Sequence, residues 1–320
     1  SVVQFVLAPN ATRGFLGFAR LANSRLFKGN IHFQALGTTF RIWSDGIVSP
    51  LFEELDSTCQ LIAREYDDVD GRMALLNDPA WVEQFRADWH HGRRGRNLAR
   101  LKAKLGVPDS MVVRDLERMV FDGAPVAEWD GETMQSVLER VQRYQQGFSA
   151  EARSDTEREA FDKFPRPLQD DADFMLHMLR TYDKDFRFYI DVANVGNQIT
   201  LDLLLDDNAL PGFNDSGAHI TNMAFFDGNL MSLKLAQQRS LDTVARVVKR
   251  LTREPADFFG LDVGRLDIGA QADITLVDPE ALAAWDDTST RQFIYRDLFQ
   301  HKQLVSRSDG VVSHVLINGE

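Results

Sequence analysis

Asn208-Ala-Leu-Pro-Gly-Phe-Asn-Asp215-Ser-Gly-Ala-His219-Ile-Thr-Asn222 is a short apolar run that ends in a carboxylate, followed by three small residues and an imidazole. Such a stretch suits the carboxyl end of a strand in an α/β barrel, where the residue at the strand tip projects into a cleft. Gly217, flanked by Ser216 and Ala218, lets the backbone turn sharply beside a ligand. From that place the Asp215 carboxylate can take a proton from a metal-bound water and return it to a leaving amine. The bland alternative is that Asp215 caps the following turn and His219 is a hydrogen-bonded structural histidine. An Asp and a His four apart on a loop do not by themselves decide between the two.

Outward from this segment, short apolar runs rich in β-branched or aromatic residues read as strands at 2–7, 31–36, 186–190, 274–277 and 311–317. Between the second and third, about residues 50–180 read mostly as helix; Asp115-Leu-Glu-Arg-Met-Val120 and residues 133–144 carry apolar side chains at three- and four-residue spacing. The clearest helix begins at Ser240, a suitable N-cap, with Asp242 in the first turn and a stripe of Leu241, Val244, Val247, Val248 and Leu251. Pro255 is expected to interrupt it, and Gly260 to close the short segment that follows. Strand–helix alternation with a small β tail points to an α/β fold: a partial TIM-type (β/α)8 barrel with a helical insert and a small accessory β domain. The barrel is partial because only three or four strands of its kind precede Asp215, against eight in a complete one. The expected division is 1–260 for the C-terminal part of the barrel, insert included, and 261–320 for an incomplete β domain.

The chain has 320 residues, 36 basic and 48 acidic, for a formal charge of −12. That balance gives no general attraction for DNA, RNA or anionic lipid. The largest local exception holds Arg93, Arg94, Arg96, Arg100, Lys102 and Lys104 with no interleaved aromatic, so it reads as a solvated helix rather than a nucleic-acid surface. The single cysteine, Cys59, excludes an internal disulfide and reads as a small buried apolar residue. No run reaches the ~20 apolar residues of a membrane helix, and no signal-peptide pattern opens the chain; a cytoplasmic protein is expected. Both termini lie in or beside strand-like runs, so a piece of a longer protein is expected as well.

The segment Gly212-Phe-Asn-Asp-Ser-Gly-Ala-His219 resembles the G-x-S-D-x-G-A-H signature of N-acyl-D-amino-acid deacylases, a branch of the amidohydrolase superfamily. Arg250-Leu-Thr-Arg-Glu-Pro-Ala-Asp-Phe-Phe-Gly-Leu261 resembles that family's RLT-x-x-PA-x-x-FGL helix. Gly264-Arg-Leu-Asp-Ile-Gly-Ala-Gln-Ala-Asp-Ile-Thr-Leu-Val-Asp-Pro279 resembles its paired strands, and Val315-Leu-Ile-Asn-Gly-Glu320 its return strand. The resemblance implies a metal-dependent hydrolase that cleaves the linear amide of an N-acyl-D-amino acid, with zinc or another divalent metal as cofactor. It implies that Asp215 is the catalytic carboxylate at the end of the eighth barrel strand. His219, with Ser216 and Gly217, would orient Asp215, touch substrate or support the loop.

Two departures stand out. Phe213-Asn214 occupies the place where the family has a serine before the aspartate, and no His-x-His metal pair occurs in the chain. His90 and His91 are adjacent and point apart on a helix, which does not make a ligand pair. His32, in a strand-like run, is the remaining metal candidate, although a lone strand histidine is more often structural. The main ligands are therefore expected upstream of Ser1, and these residues alone are expected to be inactive. Alternative readings are a cyclic-amide hydrolase of the hydantoinase or dihydroorotase kind, and a degenerate amidohydrolase that binds without turnover.

Overall fold

In the computed structural model, residues 2–4, 9–91, 114–193, 195–212, 219–223 and 227–320 are described. They form two compact units, one of Ser1–Phe40 with Ala193–Glu320 and the other of Arg41–Val192. The whole is mixed α/β.

The first unit is built on a parallel sheet. Strands β1 (Val2–Gln4), β2 (His32–Ala35) and β6 (Ala209–Pro211) lie in the order β1-β2-β6, with Val3 opposite Phe33 and Phe33 opposite Ala209. Parallel neighbours need a crossover. Helix α1 (Pro9–Ala22) supplies one, and helix α9 (Asn197–Leu204) leads into β6. Phe33 packs with Leu16, Ala19, Leu203 and Ala209 in one apolar cluster. By the two-residue alternation of a strand, His32 and Gln34 then belong to the opposite face. Asn23 ties the sheet's entry together: its side chain donates to Ile31 O (2.6 Å) and accepts from Ile31 N (2.8 Å), and it donates to Asn208 Oδ1 (3.1 Å). Just past β2, a Cβ added to Gly37 would lie 2.9 Å from Gly228 O, so helix α10 (Gly228–Gln237) seats there only against glycine.

Helix α11 (Leu241–Leu251) starts as its sequence dictates, with Ser240 Oγ accepting from Thr243 N (3.1 Å). Its apolar stripe is only partly covered: Val247 is buried, whereas Leu241 is 82% exposed. Pro255 does not cause the break. The chain leaves helical geometry at Thr252 and resumes as α12 (Arg253–Phe259), so the proline falls in a first turn, where its missing N–H is not needed. Gly260 closes α12 in the left-handed region (φ +69°), and Leu261 N bonds back to Ala256 O (2.8 Å). The tail contains an antiparallel pair of β7 (Ile274–Val277) with β10 (Val312–Leu316) and a hairpin of β8 (Arg291–Arg296) with β9 (His301–Ser306). Helix α13 (Pro279–Ala284) contributes Leu282 to a small core with Trp285 and Val311.

The second unit is rich in helix around a sheet of order β3-β5-β4, where β3 is Phe40–Trp43, β4 Met119–Phe121 and β5 Phe188–Ala193. Its helices are α2 (Pro50–Glu53), α3 (Asp56–Ile62), α4 (Val69–Leu76), α5 (Pro79–His91), α6 (Met134–Gln145), α7 (Asp155–Asp162) and α8 (Asp171–Tyr182). Helix α6 follows its periodicity, capped by Thr133 Oγ1 (3.1 Å to Ser136 N), with Met134, Val137, Leu138 and Val141 buried. The helix expected at 115–120 is instead a single 3-10 turn, Leu116–Arg118, followed by β4. Met119 and Phe121 alternate inward opposite Ile190 and Phe188, so strand pairing overrides the local spacing. Cys59 is half-buried rather than buried, and its thiol donates to Glu53 O (3.1 Å). The basic stretch 93–104 lies outside the described residues.

His177 of α8 is 8% exposed, with its ring 3.8 Å from that of Phe164 between centroids. Burial, reinforced by Arg180 and Lys163, pushes its pKa down to about 4. Below pH ~6.5 the unfolded chain binds a proton that the native histidine refuses, so folding stability falls as pH drops from ~6.5 to ~4 and is unaffected above that window. The loss at the acid end is on the order of 3 kcal/mol. Urea midpoints of wild type and His177→Phe should diverge over that window, wild type falling faster; parallel curves would show that His177 is not held neutral.

Candidate active-site segment after β6

Asp215 follows the carboxyl end of β6, which closes at Pro211. Residues 213–218, and with them Asp215, Ser216 and Gly217, lie outside the described residues. What is described is how the chain enters and leaves. On the entry side Arg250 of α11, 1% exposed, reaches the start of β6. Its guanidinium donates to the carbonyls of Leu204 and Ala209, to Asp206 O (2.6 Å), and to Glu254 Oε2 (2.6 Å). Burial pulls its pKa below the ordinary arginine value, opposed by Glu254 and Asp207. Past β6, Gly212 adopts φ +118° and its carbonyl accepts from Gln34 Nε2 (3.1 Å).

On the exit side His219 is half-buried and its carbonyl accepts from Asn222 N and Met223 N (both 3.1 Å), forming a tight turn. Leu304 N of β9 donates to Ile220 O (2.7 Å), and Thr221, Asn222 and Met223 are buried. The described flanks of the segment are thus bonded at Gly212 to Gln34 of β2 and at Ile220 to Leu304 of β9. Asp227, at the N-terminus of α10, has its carboxyl pKa raised chiefly by burial, while Ser308 Oγ donates to Oδ1 (3.4 Å). Neither Gln34 nor Asp227 carries a local sequence signal; their partners stand 178 and 81 positions away.

His32 is placed elsewhere. It is the first residue of β2, at the amino end of the strand, whereas Asp215 follows the carboxyl end of the parallel strand β6. Its Nε2 meets Asn30 Oδ1 (3.0 Å), its ring stands edge-on to Phe258 (5.1 Å), and burial lowers its pKa.

Among the described residues one group of His, Cys, Asp or Glu side chains could hold a metal ion: His90, Asp170 and Asp171, in the second unit. His90 Nε2 meets Asp170 Oδ2 (3.2 Å); His91 is not a member of the group. The same carboxylates also accept hydrogen bonds from the protein. Asp170 Oδ1 accepts from Asp173 N (2.9 Å), Asp171 Oδ1 from Ala172 N (2.9 Å), and Asp171 Oδ2 from Trp89 Nε1 (3.0 Å). This is how acids cap a helix, here α8. The described residues around the Asp215 segment supply no such group. Among the described residues no helix is long and apolar enough to cross a membrane.

Comparison with known proteins agrees with the motifs over the C-terminal part. The sequence profile of the amidohydrolase family matches residues 204–320. An uncharacterized protein of Mycobacterium tuberculosis and one of Mycobacterium bovis are each 27% identical over 304 residues, which is 92% of this chain and 43% of theirs. The chain therefore spans less than half the length of these curated relatives. A dihydroorotase of Geotalea daltonii is 43% identical over 51 residues, 16% of this chain and 12% of that enzyme. No solved structure matches. Residues 204–320, which include β6, the Asp215 segment and Arg250, therefore carry an amidohydrolase-family segment.

Proposed function

We propose that the complete protein containing this chain is a metal-dependent hydrolase that cleaves the linear amide of N-acyl-D-amino acids, with Asp215 as the proton-transferring carboxylate. One observation carries the reading: the amidohydrolase match opens at residue 204, just before β6, and Asp215 follows four residues beyond the carboxyl end of that parallel strand. Ligands of parallel α/β sheets bind at the carboxyl ends of the strands. In this reading β1, β2 and β6 are neighbouring strands of a TIM-type barrel, and 261–320 is part of a small β domain.

Asp215 takes a proton from the attacking water and delivers it to the leaving amine nitrogen, so that the products are a carboxylate and a free amino acid. His219 supports that carboxylate or the loop beside it, together with Ser216 and Gly217. A divalent metal, zinc by resemblance, would polarise the acyl carbonyl. The 51-residue similarity to a dihydroorotase favours a second reading, ring opening of a cyclic amide.

Protein expressed from the complete coding sequence should separate the two. N-acetyl-D-amino acids should be hydrolysed at least about tenfold faster, by kcat/KM, than hydantoin or dihydroorotate, a margin within reach of differential pocket contacts. Turnover of the cyclic amides alone would move the assignment to the second reading. Turnover of neither class, with metal bound, would sink both.

A further inference from the structure

We infer that the outer face of α1 and the turn behind it form an interface, covered in the complete protein by residues that lie outside these 320. Helix α1 is apolar on two sides. Leu16 and Ala19 belong to the cluster around Phe33, and at 3.6 residues per turn Phe18 and Leu21 fall on the opposite side, where they are 57% and 59% exposed. A helix that is apolar on both sides is built to be buried on both. The turn that follows is closed by backbone bonds: Lys28 N donates to Ser24 O and Gly29 N to Ala22 O, both at 2.8 Å. Only glycine fits at its end, because a Cβ on Gly29 would stand 2.7 Å from Ala22 O. Leu26 and Phe27, within that turn, are held out 81% and 61% exposed. A single exposed apolar residue needs no explanation, but four large ones between positions 18 and 27 mark a surface that is meant to be covered.

The two units differ in this respect although they are of similar length. Of the 21 large apolar residues exposed among the described residues, only Tyr66, Val69 and Phe148 belong to the second unit; the other 18 lie in the first. The second unit therefore buries its own apolar side chains, and the first leaves them for something else to cover. The Mycobacterium relatives indicate what that is. The 304 aligned residues make up 43% of each relative, so more than half of such a protein lies beyond the matched part. Arg20, between Phe18 and Leu21, is paired with Asp206, so the helix face offers apolar contact rather than free positive charge. Arg25 and Lys28 flank the turn, which makes anionic lipid the rival occupant to test.

The test is run on the complete protein carrying Leu21→Cys or Phe27→Cys, with Phe148→Cys, 60% exposed in the second unit, as the control for reagent access. Maleimide labelling of each cysteine is followed at its own peptide by mass spectrometry, in buffer and in urea. Leu21→Cys and Phe27→Cys should react at least about a hundredfold more slowly in buffer than in urea, and Phe148→Cys within about threefold, because a covered site reacts only when the structure opens. The protection should not change with protein concentration. Labelling of Leu21→Cys and Phe27→Cys near their rates in urea overturns the inference, because the face is then open. Protection that vanishes on dilution, with a dimer seen by light scattering before it, gives the face to a second copy and overturns it. Protection that requires phosphatidylglycerol vesicles gives the face to lipid and does the same. Should one of the two cysteine variants not fold, the other decides.

Discussion

Arg250→Met is expected to remove about 3–5 kcal/mol of folding stability, the usual effect of deleting one partner from a buried charged network. Methionine keeps much of the aliphatic stem but none of the donors. The carbonyls of Leu204, Asp206 and Ala209 and the Glu254 carboxylate would be left facing a thioether. Each buried acceptor so abandoned costs about 1–3 kcal/mol, and the total is a large share of the 5–15 kcal/mol that holds a typical protein folded. Thermal unfolding should shift down on the order of 10 °C. Arg246 on the same helix is the control. It also reaches Leu205 O (2.7 Å) and Asp207 (3.2 Å), but its side chain is 53% exposed, so Arg246→Met should cost less than about 1 kcal/mol. Equal small losses in the two variants would show that Arg250 does not pin β6.

The difference between these two arginines was not legible in the sequence, although both sit on a helix that was. Ser240, Thr133 and Gly260 act locally: a cap bonds a backbone N–H two or three residues on, and a glycine takes a left-handed turn where it stands. The strands at 274–277 and near 311–317 and 31–36 were visible for the same reason, as compact apolar runs. What failed or was missed depends on distant partners. Residues 119–121 become a strand because Phe188 and Ile190 pair with them. Residues 209–211 become one because β2 does, and three residues are too few to show a period. The break at Thr252 comes three residues before the proline that was expected to cause it.

The candidate site divides in the same way. The Asp215 motif announces itself by residue type and spacing, and it falls inside the span matched by the amidohydrolase profile. The groups that hold its flanks, Gln34, Arg250 and Leu304, are brought there by the sheet and helix packing alone. For His32 the sequence shows the alternation of a strand but not the place along it; the parallel pairing with β6 puts it at the amino end of β2.

The most direct measurement of the central claim is steady-state hydrolysis of an N-acetyl-D-amino acid by the complete protein and by its Asp215→Asn variant, with metal content determined on both. Asparagine keeps the size of the side chain but takes no proton from water at neutral pH, and a positioned general acid–base contributes about a hundred- to ten-thousandfold to rate. The account predicts a fall in kcat of that order, similar KM and unchanged metal content and thermal midpoint. A kcat within about threefold of wild type would contradict it, because no proton transfer in the reaction would then depend on Asp215.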